Sequence, residues 1–206
     1  MRRMSKLEIS AALVKELREK TGVGIMDCKQ ALKECDGDME KAVDYLRAKG
    51  IATAKKRGAR STSEGQIQSY IHGGGKIGVL VEVNCETDFT GKTEDFTAFV
   101  KDLAMQIAAS SPIALDRKGV PPAILDKEKE IFATQARETG KPEKVIEKIV
   151  EGRLKKFFSE ACLLEQAFVK NPDITIQDLL NEMMAKTGEN IVIKRFIRYQ
   201  LGEGDE

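Results

Sequence analysis

Apolar residues recur every three to four positions along much of this chain, and breaks in that period mark where elements end. Ser10 precedes Leu13, Val14 and Leu17, an N-cap followed by a helical stripe, and Gly22 closes the segment. A second helix is expected from about Met26 to Cys35, with Met26, Ala31, Leu32 and Cys35 on one side, before Asp36-Gly37-Asp38 breaks it. Asp38 is placed to cap a third helix carrying Ala42, Val43 and Leu46. Gly50 stands where a C′ residue belongs. Three short helices in close succession predict a small bundle over residues 1–54.

Residues 55–64 have almost no apolar content and read as a linker. The period then changes to two. Ile67 and Ile71 share a side of one strand, Gly73-Gly74-Gly75 makes a turn, and Ile77, Val79, Val81 and Val83 alternate strictly along a second strand. A helix follows from about Thr93 to Ala109, with Phe96, Phe99, Val100, Leu103 and Ile107 on one face.

Pro121-Pro122 opens another helix, to about Glu138. Gly140-Lys141-Pro142 stops the chain and restarts it, with Pro142 at the first helical position. The next helix carries Val145, Ile146, Ile149, Val150 and Leu154. Two helices so briefly linked lie antiparallel, each roughly 25 Å long at the α-helical rise. Their Lys- and Glu-rich faces suggest a projecting arm over 121–158. Thr175 and Asp178 form a capping box for a helix with Leu179, Leu180 and Met183, which Gly188 ends. Ile191, Ile193, Ile197 and Tyr199 alternate along a last strand, and Gly202–Glu206 reads as a frayed tail. The fold class is therefore α+β: a three-helix bundle, then a core over 65–206 with a roughly three-stranded antiparallel sheet and a helical hairpin.

Composition narrows the function classes. Of 206 residues, 41% are apolar and 33% charged, with a net charge of +1, so no general field attracts nucleic acid. Lys55, Lys56, Arg57 and Arg60 make a local basic run, read as a solvated linker. Aromatics are only 5% and tryptophan is absent, which weighs against a base-stacking surface. No apolar run suits a membrane span, and Met1–Ser10 lacks the apolar stretch of an export signal. The expected compartment is the cytoplasm, where Cys28, Cys35, Cys85 and Cys162 are free thiols. With no C-x-x-C pair and only one histidine, His72, they make a poor zinc set.

No catalytic site is legible. The phosphate-binding glycine motifs are absent, and Gly73-Gly74-Gly75-Lys76 joins two strands rather than a strand and a helix. His72 has no nucleophile partner evident in sequence, though a cysteine remains open. Glu82, Glu86 and Asp88 are placed either to meet Mg²⁺ or to be solvated, and residue type favours solvation. No cofactor is expected. One feature is unusual: Asn84-Cys85-Glu86-Thr87-Asp88-Phe89 follows directly on a buried strand. Phe89 either folds back onto the following helix or stands exposed beside Asp88.

Two segments carry a resemblance. Leu17-Arg18-Glu19-Lys20-Thr21-Gly22-Val23-Gly24-Ile25-Met26-Asp27-Cys28-Lys29-Gln30-Ala31-Leu32 and Glu82-Val83-Asn84-Cys85-Glu86-Thr87-Asp88-Phe89 resemble, in order, the signature segments of the elongation factor Ts family. Gly140-Lys141-Pro142, Glu151-Gly152-Arg153-Leu154-Lys155-Lys156-Phe157 and Gly188-Glu189-Asn190-Ile191 are also similar to family segments. The likeness spans about residues 8–204. Thr90-Gly91 departs from it, since the family usually carries Val-Ala or Val-Ser there. Long members have two core halves. Here Tyr70-Ile71-His72 and Lys76–Val81 resemble the start of the second half, yet they lead into the Thr87-Asp88-Phe89 motif of the first.

The resemblance implies a guanine nucleotide exchange factor, not an enzyme, that binds GDP-bound and nucleotide-free elongation factor Tu. It implies that the bundle, similar to ubiquitin-associated domains, docks on the GTPase domain through Arg18, Ile25 and Met26. For Met26, bundle core is the alternative. Thr87, Asp88 and Phe89 would disturb the Mg²⁺ and phosphate side of the nucleotide site. His72 matches a further contact position, with an ordinary turn-side histidine as its alternative. The stretch from Asp173 to Leu180 would approach another domain of elongation factor Tu. Short members pair two chains, so a homodimer is expected, with no direct nucleic-acid or membrane partner. Two other classes stand beside this one: a general protein-interaction module built on the bundle, and a nucleic-acid binder using the basic run.

Overall fold

The structure is a computed structural model that describes residues 9–203, with the side chains of 51–57 left undescribed. The readings of Met1–Ser10 as lacking an export signal and of Gly202–Glu206 as frayed fall largely outside it.

Capping and apolar spacing build the bundle. Helix α1 (Ala11–Thr21) starts where Ser10 Oγ accepts from the Leu13 amide at 3.2 Å. It ends at Gly22, whose φ of 66° suits the left-handed cap and whose N–H reaches the Arg18 carbonyl at 2.8 Å. Helix α2 spans Ile25–Glu34 and α3 spans Met39–Arg57, the latter begun by Asp38 accepting from the Lys41 amide. Val14, Leu17, Cys28, Ala31, Leu32, Ala42 and Leu46 close the bundle core. One expectation fails here and one alternative closes. Gly50 does not end the third helix; the alanine, lysine and arginine that follow it are strong helix formers and carry α3 to Arg57. Met26 is 74% exposed, because it points about 200° around the helix from Cys28, which takes the core position instead.

Strands β1 (Glu64–His72) and β2 (Ile77–Cys85) form the expected hairpin. A one-turn helix α4 (Asp88–Gly91) and helix α5 (Glu94–Ser110) follow. On β2 the side chains of Val79, Val81, Val83 and Cys85 are buried, as are Phe96, Phe99, Val100, Leu103 and Ile107 on α5.

Helices α6 (Pro122–Arg137) and α7 (Glu143–Ala161) form the helical hairpin. They pack along each other, with the Arg153 guanidinium 6.0 Å from the Phe132 ring centre and bonded to the Gln135 amide. Pro142 is the N-cap of α7 rather than its first residue. Gly140, at φ 67°, makes the turn.

Next comes a small antiparallel pair absent from the sequence reading, β3 (Ala167–Phe168) with β4 (Asn171–Thr175). Buried Gln106 braces it, accepting from the Val169 amide at 2.9 Å and donating to Gln166 Oε1 at 3.1 Å. Helix α8 (Ile176–Thr187) carries the capping box: the Asp178 amide donates to Thr175 Oγ1 and the Thr175 amide to Asp178 Oδ2, both at 3.1 Å. Strand β5 (Val192–Gln200) completes an antiparallel sheet ordered β1-β2-β5. The expected single alternation along β5 does not hold. Ile191 and Ile193 are buried, but Ile197 and Tyr199 are exposed while Phe196 and Arg198 turn inward, so the burial phase shifts mid-strand.

The chain divides into two compact units. One holds Met1–Gly65, Asn84–Lys92 and Leu180–Val192; the other holds Gln66–Val83, Thr93–Leu179 and Ile193–Glu206. In the first, the end of α8 lies against the bundle: the Lys186 side chain runs across Gly22, and Gly50 leaves room beside the Ala185 methyl.

Phe96 is fully buried. Replacing it with alanine should cost about 3–5 kcal/mol of unfolding free energy in a denaturant titration.

Candidate functional site

The segment after β2 is built from polar contacts. Cys85 is buried, its thiol donates to the Thr87 carbonyl at 3.1 Å, and burial raises its pKa. Thr87 is extended and caps α4, its Oγ1 accepting from the Thr90 amide at 3.3 Å. Asp88 and Phe89 are the first two residues of that turn. Phe89 is 79% exposed, so of the two alternatives it is the one that stands in water beside Asp88. Asp88 is exposed and pairs with Lys92 Nζ at 2.7 Å, and the hydrogen bond to Lys92 holds its carboxyl below the ordinary range. Thr90 and Gly91 are buried beneath the turn. A Cβ on Gly91 would lie 3.5 Å from Cys85 Sγ and 3.6 Å from Gly65. The departure at Thr90-Gly91 thus leaves the Asp-Phe pair presented.

What holds the turn comes from far along the chain. Gly188, at φ 79°, ends α8 by donating to the Met184 carbonyl at 3.0 Å. The chain then sends the Glu189 carboxylate under α4. Its Oε2 accepts from the Glu86 amide at 3.0 Å and the Thr87 amide at 3.1 Å. Its Oε1 accepts from Thr87 Oγ1 at 2.6 Å and Thr90 Oγ1 at 2.7 Å. The exchange is reciprocal, since Glu86 Oε1 accepts from the Asn190 amide at 2.6 Å. Asn190 is buried and donates through Nδ2 to the Arg60 carbonyl at 2.9 Å, while Arg60 reaches Glu86 at 3.4 Å. Burial raises the pKa of Glu189, but the bonds from Thr87, Thr90 and Glu86 outweigh it, so the carboxyl sits below its ordinary value.

The other expected contact residues lie in two places. Arg18 is exposed in the last turn of α1, and Ile25 and Met26 are exposed at 54% and 74% in the first turn of α2. These three belong to the same compact unit as Thr87, Asp88 and Phe89. His72 belongs to the other unit, at the end of β1. It is exposed, its ring is stacked on Tyr70 with centres 5.8 Å apart, and its Nδ1 is 3.0 Å from the Tyr70 hydroxyl. Gly73, Gly74 and Gly75 all take positive φ in the adjoining strand-to-strand turn.

Alternative chemistries find little support. Glu82 pairs with Arg195 at 2.7 Å, Glu86 with Arg60 and Asp88 with Lys92, so each of the three carboxylates has a cation beside it. Among the described residues, no group of three His, Cys, Asp or Glu is arranged to hold a metal ion. Burial pushes the Cys162 thiol up to about 11, far from a nucleophilic thiolate. Among the described residues, no helix is long and apolar enough to cross a membrane.

Sequence reasoning missed Glu189, Glu86, Asn190 and Thr90 as parts of this site. The only signal for Glu189 was the family-like stretch Gly188-Glu189-Asn190-Ile191.

Comparison with known proteins gives a consistent answer. The family model described as elongation factor TS matches residues 26–203. A protein of Desulfosudis oleivorans named elongation factor Ts is 62% identical over 195 residues, covering 95% of this chain and 98% of its own length. Proteins of the same name from Carboxydothermus hydrogenoformans and Geobacter sulfurreducens are 60% and 58% identical, over 95% and 97% of this chain and 90% and 93% of theirs.

The Glu189 network has a pH signature. A carboxyl held below its ordinary 4.5 stabilises the fold above that pH, and the gain is lost as pH falls through the folded value. The stability difference between wild type and Glu189→Gln should therefore stay level at pH 5–7 and shrink under stronger acid. Urea titrations at several pH values check this.

Proposed function

This chain belongs to the elongation factor Ts family, and from that premise we propose that it binds the translation GTPase elongation factor Tu and speeds release of its GDP. The observation that carries the reading is Phe89, a large apolar side chain held in water at the first turn after a buried strand. Beside it stands Asp88, and on the same compact unit Arg18, Ile25 and Met26 offer a second exposed surface.

Linkage supplies the mechanism. A factor that binds the nucleotide-free GTPase better than its GDP-bound form must, by reciprocity, weaken GDP by the same factor. Phe89 suits a wedge. Burying a phenylalanine is worth about 1.5–3 kcal/mol, which offsets part of the distortion it imposes on the Mg²⁺ and phosphate side of the nucleotide site. Thr87 caps the turn that aims it. Arg18, Ile25 and Met26 would dock the ubiquitin-associated-like bundle on the GTPase domain, His72 would add a contact, and the segment from Asp173 to Leu180 would approach a second domain. In this reading the protein makes and breaks no covalent bond, carries no cofactor, and works in the cytoplasm.

We also propose that two chains associate through their sheets. Ile67, Ile71, Leu80, Ile197 and Tyr199 are exposed, and Ile67, Leu80 and Ile197 line a shallow groove of about 360 Å³ with Glu82, Arg195 and Phe196. Both β1 and β5 are sheet edges. An exposed face whose apolar residues flank the Glu82–Arg195 pair, beside open edges, favours a self-complementary contact in which the same patch serves both subunits.

Catalytic amounts of the protein should accelerate loss of labelled GDP from elongation factor Tu, and no acceleration at micromolar protein would refute the activity. Phe89→Ala should cut exchange strongly yet shift unfolding free energy by less than about 0.5 kcal/mol, as for an exposed residue. A loss near the core-phenylalanine value would make the residue structural. Sedimentation equilibrium at low micromolar concentration should return twice the 22.8 kDa chain mass. A single-chain mass would refute the dimer.

A further inference from the structure

Phe89 has no packing of its own to fix where it points, since 79% of it is exposed. Helix α4 is a single turn and too short to be stable alone. Its position must therefore be set by the groups that hold its backbone. One side chain touches three of the five residues from Glu86 to Thr90. The Glu189 carboxylate accepts the Glu86 and Thr87 amides on one oxygen and the Thr87 and Thr90 hydroxyls on the other, all between 2.6 and 3.1 Å. The Thr87 hydroxyl passes the constraint on. It donates to Glu189 and so turns a lone pair toward the Thr90 amide, which closes the turn at 3.3 Å.

Resting on the reading of Phe89 as the wedge, we propose that Glu189 is a positioning residue for nucleotide exchange, its ionised carboxylate fixing the Thr87–Thr90 turn so that Asp88 and Phe89 meet the partner already oriented. Four donors converge on two oxygens, and only an anion lacks a competing N–H or O–H among them. The neighbouring Glu86 does not compete for these donors, because the Asn190 amide at 2.6 Å and Arg60 at 3.4 Å occupy it. Glu189 itself is placed by the end of α8. Gly188 turns the chain, and the Glu189 amide donates to Thr187 Oγ1 at 3.3 Å. Orientation in advance matters because a wedge that must first be ordered loses binding energy to that ordering.

The test uses the full-length protein and labelled GDP on elongation factor Tu. Glu189→Gln keeps the size but turns an amide NH₂ toward donors. It should reduce exchange about 10-fold or more, the scale of hydrogen bonds to a charged group. Thr90→Val removes one donor with little change of shape and should reduce exchange about 3-fold. Both losses should shrink when Phe89 is already alanine, because only Asp88 is then left to aim; Glu189→Gln should add less than about 2-fold in that background. Hydrogen exchange should quicken at the Glu86 and Thr87 amides in Glu189→Gln, with the bundle unchanged. If Glu189→Gln fails to fold by circular dichroism, Thr90→Val and its pairing with Phe89→Ala decide the matter alone. Wild-type exchange in both Glu189→Gln and Thr90→Val, with Phe89→Ala impaired, overturns the positioning role and leaves the wedge standing. An undiminished Glu189→Gln loss in the Phe89→Ala background also overturns it. Wild-type exchange in Phe89→Ala removes the wedge, and the positioning proposal with it.

Discussion

A large apolar side chain that stands in water cannot be held by its own burial, so something polar has to hold the backbone beneath it. Here that is the exchange between two segments about a hundred residues apart in sequence. Glu189 accepts from the main chain and hydroxyls of 86–90, and Glu86 accepts from the main chain at Asn190. Each side chain satisfies the other segment's amides, and the buried ends of both segments, Thr90 and Asn190, close the arrangement from below. Such a network is costly to leave half-made. A buried donor left without its acceptor suffers the desolvation cost as well as losing the bond, so removing the shared acceptor weakens the turn more than removing one donor.

The same constraint explains why the first compact unit gathers pieces from three stretches of chain. The bundle, the turn after β2 and the end of α8 share that unit. Helix α8 supplies both connections. Its last turns bring Ala185 and Lys186 against Gly50 and Gly22 of the bundle, and the next residues bring Glu189 to the turn. Gly22 and Gly50 serve this packing directly, since a Cβ at Gly22 would stand 3.1 Å from the Lys186 side chain and one at Gly50 3.4 Å from Ala185. Gly50 thus lies inside α3 next to Ala185 rather than at its end.

That distinction shows what a sequence can and cannot disclose. Signals that act over a few residues were legible: the caps at Ser10 and Asp38, the capping box at Thr175, the strict alternation of β2, and the stripe of α5. Gly50 misled because a glycine that ends a helix and one that admits a neighbour look alike in one dimension. Met26 stayed between two readings, contact and bundle core, because its apolar type suited a core that its angle on α2 does not face. The pair β3-β4 was missed because Asn171-Pro172-Asp173 carries no alternation, and what braces it, Gln106, lies on α5. The Asp-Phe pair was visible as an oddity and as part of a family-like motif. Glu189 also stood in a family-like stretch, but its role was not legible, because a lone glutamate gains meaning only from four donors that folding brings to it.

Two acidic residues of the Phe89 turn, Glu189 beneath it and Asp88 within it, are held quite differently, and the contrast bears on the proposed role of this surface. Glu189 is tied by four bonds and lies under the turn, while Asp88 is exposed and has Lys92 as its ion-pair partner. An exposed pair four residues apart on a single helical turn is screened and contributes little, so Asp88 can leave Lys92 for another donor at small cost. Phe89 likewise gives up only water when it is buried. The backbone is therefore the constrained part and the two presented side chains are the free part. In the proposed exchange reaction, that arrangement would let the apolar ring supply binding energy and the carboxylate find its partner, without repeating the ordering cost at each encounter.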